Sequence, residues 1–221
     1  MTKKKNKDKN KNQRQGSAPA GKNASAAGLS KYYDENGGLR RDNIFFLVGL
    51  LVFFAGVFID LVTKAWAEYY FEVLGNGSFE LIPGFMALDF TYNPGMAFGW
   101  FSDSPVFMDV VTWATPVIVL LFLFFAWRLP KVFNPHRVCL CLAASGAFGN
   151  FLDRVLVADG VRDFMDISSI GFGICNFADY FSTFGLIVLI LCILFVGEES
   201  LFPIIGRRKR AKADRERDER E

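Results

Sequence analysis

The stretch VCLCLAASGAFGNFLDRVLV, residues 138–157, is apolar and long enough to cross a bilayer, yet it carries polar residues near one end. Roughly 20 helical residues span the hydrocarbon core. The polar cluster Gly149-Asn150-Phe151-Leu152-Asp153-Arg154 therefore places a carboxylate at the edge of a membrane span, where a charge is costly and usually functional. This segment predicts a membrane helix that supplies part of a polar site.

Three further apolar segments predict an all-α membrane protein with four transmembrane helices. They cover about residues 44–67, 106–127 and 177–196. The chain has 221 residues, of which 52% are hydrophobic, and its charges concentrate at the two ends. We predict one membrane domain over 44–196, a disordered basic tail over 1–43 and a charged tail over 197–221.

The basic residues in the connectors predict the orientation of these helices. The connector 128–137 carries Arg128, Lys131 and Arg137 and no acid, whereas the connector 68–105 carries five acids and no Lys or Arg. Since basic residues favour the cytoplasmic side, both termini are predicted to be cytoplasmic and the longer connector extracytoplasmic.

The longer connector also contains a predicted β segment, over about residues 78–98. Pro83-Gly84 is a turn signal between two apolar runs, and Asn93-Pro94-Gly95-Met96-Ala97-Phe98-Gly99 follows with small residues. We predict a small extracytoplasmic β-hairpin or sheet at the outer membrane surface.

Three carboxylates are predicted to converge near the outer leaflet. At 1.5 Å per residue, Asp60 and Asp153 lie about 22 to 24 Å from the cytoplasmic ends of their helices. Asp179 lies just inside the outer end of the fourth span, in the cluster Asn176-Phe177-Ala178-Asp179. In both clusters an Asn precedes an Asp by three residues, a spacing that puts both on one helical face. Paired aspartates at a membrane edge indicate acid–base chemistry.

Five short motifs, in order along the predicted spans, resemble those of lipoprotein signal peptidase, also called signal peptidase II. The resemblance covers about residues 44–196 and implies a bacterial inner-membrane aspartyl endopeptidase. Such an enzyme removes the signal peptide from diacylglyceryl-modified prolipoproteins by cutting just before the lipidated cysteine. The motifs are Asp60-x-x-x-Lys64, Asn93-x-Gly95-x-Ala97-Phe98, Gly149-Asn150-x-x-Asp153-Arg154, Val161-x-Asp163-Phe164 and Asn176-x-Ala178-Asp179.

By this resemblance and by chemistry, Asp153 and Asp179 are predicted to be the catalytic pair. Two carboxylates held close together share one proton, so that one acts as a base towards water and the other as an acid. The other residues of these motifs, except those of Val161-x-Asp163-Phe164, are predicted to bind substrate. These are Asp60, Lys64, Asn93, Gly95, Ala97, Phe98, Gly149, Asn150, Arg154, Asn176 and Ala178.

Several of these residues also fit a structural role. Asp60 and Lys64 fit an intrahelical ion pair as well as a substrate contact. Residues 93–98 fit a turn with a packing wedge, and Asp163 fits a helix or strand cap better than a site residue. Asp153 and Asp179 also fit a buried polar pair that fixes helix packing. Two other functions stay open: a proton-coupled membrane carrier, and a non-catalytic membrane scaffold.

Other kinds of site have little support in the sequence. The single histidine, His136, is predicted on the cytoplasmic connector, so neither a Ser-His pair nor a His-based zinc site can form at the level of the carboxylates. The four cysteines show no metal-binding spacing, and we expect no disulfide. We expect no cofactor, no metal and no nucleic acid. The expected partners are the prolipoprotein substrates and membrane lipid, and the expected state is a monomer.

Overall fold

A computed structural model describes residues 43–95, 104–130 and 133–196, which form four long helices and four short strands. The helices are α1 (Asn43–Glu68), α2 (Pro105–Arg128), α3 (Asn134–Leu156) and α4 (Phe177–Phe195). All four are long and apolar enough to cross a membrane, which confirms the predicted fold class. The two predicted tails, apart from Asn43, lie outside the described residues, as do the predicted site residues Ala97 and Phe98.

Two of the helices extend beyond the spans predicted for them. The first continues through a wider π-helical turn over Tyr69–Val73. The third begins at Asn134, because Pro135 occupies its first turn, where a missing N–H group leaves no hydrogen bond unmade. Arg137 is thereby inside the helix, 1% exposed, and its guanidinium donates to the Leu129 carbonyl.

Helix α3 lies at the centre of the bundle and contacts the other three helices. Its buried stretch Ala143, Ala144, Ser145 and Gly146 consists of small residues, which allow membrane helices to approach closely. A Cβ atom on Gly146 would lie 2.1 Å from the Ala178 carbonyl oxygen of α4. Glycine at this position therefore sets how near α4 comes to α3.

The outward faces of the helices carry large apolar side chains. Leu51 on α1 and Val106 on α2 are 69% and 78% exposed, for example. In a bilayer such side chains contact acyl chains, so their exposure is compatible with a stable fold.

A four-stranded antiparallel sheet lies at one end of the bundle. Its order is β1 (Phe79–Ile82), β2 (Met86–Asn93), β3 (Val161–Asp166) and β4 (Ile174–Cys175). The predicted outer segment supplies only the first two strands, joined by a turn in which Gly84 has a φ of +68°. The other two come from the connector between α3 and α4, which the sequence analysis did not assign to the sheet.

An apolar cluster attaches this sheet to the end of α1. Leu88 of β2 and Phe164 and Met165 of β3 are buried against Ala67 and Phe71. The burial holds β3 beside the helices, next to the beginning of α4. This position brings Asp163, on β3, among the polar side chains of the bundle.

Candidate active site

Lys64 occupies the centre of a buried polar network that joins α1 to α3. Its Nζ lies 2.8 Å from Asp60 Oδ2 and 3.3 Å from Asp153 Oδ2, and it donates to Asn150 Oδ1 at 2.9 Å. The Lys64 and Asp60 side chains are 0% exposed. Because a buried ammonium needs a partner for each of its three protons, the three oxygens account for its place inside the bundle.

Asp60 also contacts α4, so its role is wider than an intrahelical ion pair. Its Oδ1 accepts a hydrogen bond from the backbone N of Ala178 at 2.9 Å, in the first turn of α4. That N–H group would otherwise have no partner within its helix. A Cβ atom on Gly149 would lie 2.4 Å from Asp60 Oδ2, which explains the glycine there. Asp60, Lys64, Gly149 and Ala178 thus hold three helices together.

The Asp153 carboxylate forms ion pairs with two cations and is not open to a reactant. Besides Lys64, it contacts Arg162, whose Nη2 lies 2.6 Å from Oδ1 and whose backbone N donates to Oδ2 at 3.0 Å. The Asp153 side chain is 1% exposed and is not among the groups that line the nearby cavity. These contacts suit a carboxylate that balances buried positive charge.

The sequence analysis missed the residues that complete this network. Arg162 Nη1 lies 2.9 Å from Glu68 Oε2, and Tyr92 Oη donates to Glu68 Oε1 at 2.8 Å. Burial and the neighbouring Glu68 raise the pKa of Tyr92 to about 12, so its hydroxyl stays a donor. Arg162 stands inside the quoted Val161-x-Asp163-Phe164 motif at its unspecified position, so the motif gave no signal for it.

Asn176 and Asp179 form a capping box at the start of α4. The Asn176 side chain accepts from the backbone N of Asp179 at 3.1 Å, and Asp179 Oδ2 accepts from the backbone N of Asn176 at 3.1 Å. The prediction that both lie on one helical face is wrong, because Asn176 is the N-cap residue and has an extended backbone. Asp179 also accepts from Asn150 Nδ2 at 2.8 Å, which ties it to α3.

Asp163 lies beside this capping box. Its Oδ1 accepts from Asn176 Nδ2 at 2.6 Å and its Oδ2 accepts from Asn93 Nδ2 at 3.0 Å. Asp163 is 2% exposed. Burial and then the charge of Asp179 raise the pKa of Asp163 to about 7, although the amide donors oppose the shift. Asn176 therefore contacts both carboxyl groups.

These two carboxyl groups line one cavity of about 460 Å³. Its other polar residues include Asn93, Asn150 and Arg154, and its apolar wall includes Ile174 and Phe184. A mostly apolar cavity with a few converging polar groups is typical of a binding or active site.

Two residues of the predicted Asn93 motif lie at this cavity's edge. Asn93 accepts from the backbone N of Gly95 at 2.9 Å, forming a local turn, and donates to Asp163. Arg154 Nη2 lies 3.5 Å from the Gly95 carbonyl oxygen. The motif thus forms a turn, as one alternative held, and also supports the Asp163 carboxyl group.

The sulfur of the cysteine in the cavity wall makes two polar contacts. Cys175 Sγ lies 3.4 Å from the Met165 carbonyl oxygen and 3.6 Å from Tyr180 Oη. Burial raises the pKa of the Cys175 thiol to about 11, so it is protonated at neutral pH. Within the described ranges, no three His, Cys, Asp or Glu side chains are arranged to hold a metal ion.

The structure therefore separates the predicted site residues into two groups. Asn93, Asn150, Arg154 and Asp179 line the cavity, together with Asp163, which the sequence analysis rated as a cap. Six others lie behind the cavity wall or beside it, and they support the residues that line it. These six are Asp60, Lys64, Gly95, Gly149, Asn176 and Ala178. Asp153, predicted as half of the catalytic pair, also lies outside the cavity, because Lys64 and Arg162 hold its carboxylate.

Comparison with known proteins identifies the family of this chain. The family described as signal peptidase (SPase) II matches residues 52–195. The lipoprotein signal peptidase of Gloeothece citriformis is 30% identical over 69% of this chain and 90% of its own length. That of Pelagibacter ubique is 35% identical over 68% of this chain and 89% of its own. That of Staphylococcus aureus strain MRSA252 is 34% identical over 62% of this chain and 82% of its own length.

Two solved structures share the fold. Both are bacterial membrane enzymes determined by the in meso method, and both are 31% identical to this chain. The structure at 2.3 Å resolution has a TM-score of 0.56 and is matched over 66% of this chain and 87% of its own. The structure at 1.9 Å resolution has a TM-score of 0.54 and is matched over 66% of this chain and 92% of its own. The family match covers more than half of the chain, and the resemblance of the motifs is thereby confirmed: the protein is a membrane peptidase that belongs to the signal peptidase II family.

Proposed function

We propose that this peptidase is an aspartyl endopeptidase whose catalytic pair is Asp163 and Asp179. The observation that carries the proposal is that both carboxyl groups line one cavity and both contact Asn176. This replaces the predicted pair of Asp153 and Asp179, because Asp153 is held by two cations outside the cavity.

The chemistry follows from two carboxyl groups that share one proton. The pKa of Asp163, raised to about 7 chiefly by burial, makes it the carboxyl group that holds the proton at neutral pH and below. Asp179 then accepts a proton from the water that attacks the scissile carbonyl carbon, while Asp163 donates to the carbonyl oxygen. As the tetrahedral intermediate collapses, the C–N bond breaks, the leaving nitrogen takes the proton held by Asp179, and one hydroxyl proton of the intermediate returns to Asp163.

The substrate we propose is a diacylglyceryl-modified prolipoprotein, cut just before the lipidated cysteine. Its lipid would anchor the scissile bond at a fixed depth in the membrane. Asn150 and Arg154 line the cavity and offer donors for substrate carbonyl oxygens, while the apolar wall accepts side chains of the signal peptide.

We place the protein in the bacterial inner membrane as a monomer, with both termini cytoplasmic and the site near the outer leaflet. The polar network lies at the end of the bundle that carries the sheet, whereas Arg128 and Arg137 lie at the other end. Basic residues mark the cytoplasmic end of membrane helices, which supports this orientation. His136 lies at that end too, 17 residues or about 25 Å along α3 from Asp153.

The test is cleavage of a lipidated prolipoprotein by purified variants. Asp163→Asn and Asp179→Asn should remain folded and membrane-inserted and should leave the precursor uncleaved. Asp166→Asn is a matched control, since Asp166 lies on the same strand and outside the cavity. Cleavage by either of the first two variants at the wild-type rate would remove that residue from the mechanism. Equal rates with lipidated and lipid-free substrate would contradict the role of membrane depth.

A further inference from the structure

The last strand of the sheet, β4, ends beside the cavity. It consists of Ile174 and Cys175 and pairs with β3 on one side. Throughout the described part of the chain, no other strand pairs with its opposite edge. A strand with one free edge presents unpaired backbone groups, which can accept another strand.

The pairing register shows which residue presents those groups. Cys175 lies opposite Met165, Ile174 lies opposite Asp166, and the backbone N of Ile167 donates to the Gly173 carbonyl oxygen at 3.3 Å. In an antiparallel pair, alternate residues direct their N–H and C=O groups to the same neighbour. Gly173 and Cys175 therefore face β3, and Ile174 directs both of its backbone groups to the free edge.

This free edge adjoins the proposed catalytic pair. Gly173, Ile174 and Cys175 line the same cavity as Asp163 and Asp179. Because Met165 is opposite Cys175, Asp163 lies two residues beyond the paired part of β3, which is about 7 Å along a strand. Ile174 itself is opposite Asp166, so a further strand paired with Ile174 would pass Asp163 about three residues, or about 10 Å, from its contact with Ile174.

We propose that the free edge of β4 docks the substrate backbone. This inference rests on the proposed function. An extended segment of the prolipoprotein joins the sheet as a fifth strand, and its residue about three positions from the scissile bond exchanges two hydrogen bonds with Ile174.

Backbone pairing of this kind suits a peptidase that acts on many precursors. Main-chain hydrogen bonds supply affinity whatever the sequence, while neighbouring pockets select side chains. Ile170 and Phe172, beside this edge, line the cavity and are 52% and 55% exposed, so they offer apolar contacts to the docked segment.

The first test compares Ile174→Pro with Ile174→Ala in the purified full-length enzyme. Both variants lose the isoleucine side chain, but only proline removes the N–H group. A proline is tolerated on an edge strand where the N–H group points away from the sheet, so both variants should unfold at similar temperatures. With a synthetic diacylglyceryl-cysteine peptide as substrate, kcat/KM for the proline variant should fall about three- to tenfold below that for alanine, the effect of one hydrogen bond. Equal kcat/KM values in two folded variants would overturn the proposal.

The second test leaves the enzyme unchanged and alters the substrate. A series of peptides carries one backbone N-methyl group at successive positions, which removes one donor at a time. Methylation about three residues from the scissile bond should lower kcat/KM about three- to tenfold, the effect of one hydrogen bond, and methylation six or more residues away should not. A flat series would overturn the docking mode even if Ile174→Pro failed to fold. If the wild-type enzyme cleaved no lipidated peptide at all, the proposed function itself would fail.

Discussion

Replacing Asp163 should change how the stability of the protein depends on pH. Burial, assisted by the charge of Asp179, raises its pKa from the usual 3.8 to about 7 in the folded protein. A carboxyl group whose pKa is higher in the folded than in the unfolded protein contributes its full stabilisation at pH values below the unfolded pKa. That stabilisation is lost as the pH rises through the folded pKa. The difference of about 3 units corresponds to at most about 4 kcal/mol.

Asp163→Asn cannot ionise, so it should not suffer this loss. Between pH 5 and pH 8 the wild type should lose about 2 to 3 kcal/mol relative to the variant. For a protein of this size that is an apparent Tm difference of roughly 5 to 10 °C. The new amide faces the donors of Asn93 and Asn176, which adds a cost of about 1 kcal/mol at every pH. The change in Tm with pH, rather than its absolute value, is therefore the informative quantity.

The assay is thermal unfolding in detergent micelles, followed by tryptophan fluorescence, at pH values from 5 to 8. Asp153→Asn is the contrasting variant, because it leaves Lys64 and Arg162 without their shared carboxylate. Breaking a buried ion pair from one side costs about 3 to 5 kcal/mol, so this variant should be markedly less stable at pH 7. Parallel Tm curves for the wild type and Asp163→Asn would refute our account of Asp163. A stable, inactive Asp153→Asn together with an active Asp163→Asn would restore the original pair.

Three further predictions follow from the same contacts. Cleavage should decline as the pH rises above about 7, because Asp163 then loses the proton that the pair must hold. The measurement is kcat/KM from pH 5.5 to 9, and a value that rises through this range would contradict the mechanism. Lys64→Met should lower stability by about 3 to 5 kcal/mol, because it leaves Asp60 without its cation and Asp153 with Arg162 alone, and adding Asp60→Asn should restore part of the loss in a thermal melt. Gly149→Ala should cost about 1 to 3 kcal/mol, because its Cβ would lie 2.4 Å from Asp60 Oδ2; an unchanged Tm would show that α1 shifts freely.

The amino-acid sequence alone was sufficient to predict the membrane helices. Their length and apolar character are local properties, and the lipid environment demands both whatever the helices pack against. The β1–β2 hairpin was also predictable, since Pro83-Gly84 marks its turn. Sequence also carried a signal that we did not use: Asn176-x-x-Asp179 has the spacing of a capping box, in which the Asn lies before the helix rather than on its face.

Tertiary structure decided which of Asp153 and Asp163 lines the cavity together with Asp179. Asp153 sits in a conspicuous motif on a predicted helix, whereas Asp163 sits in a connector with no obvious periodicity. Which of them meets Asp179 depends on how α3 is rotated in the bundle and on where β3 docks, and both depend on contacts between segments far apart in the chain. The Arg162 guanidinium reaches Asp153 only because β3 returns to the bundle as the third strand of the sheet.

The sequence by itself thus determined that this chain crosses a membrane four times and carries the motifs of a signal peptidase II. Hydrophobic length and short motifs are properties of neighbouring residues, so they can be read without coordinates. Only the tertiary structure decided which carboxyl groups share the cavity, because a side chain's partners are set by the packing of α1, α3, α4 and β3 against one another. The charge balance of a buried site depends on how all the helices and the sheet pack together. In this packing Lys64 and Arg162 neutralise Asp153, whereas Asp163 is close to the charge of Asp179.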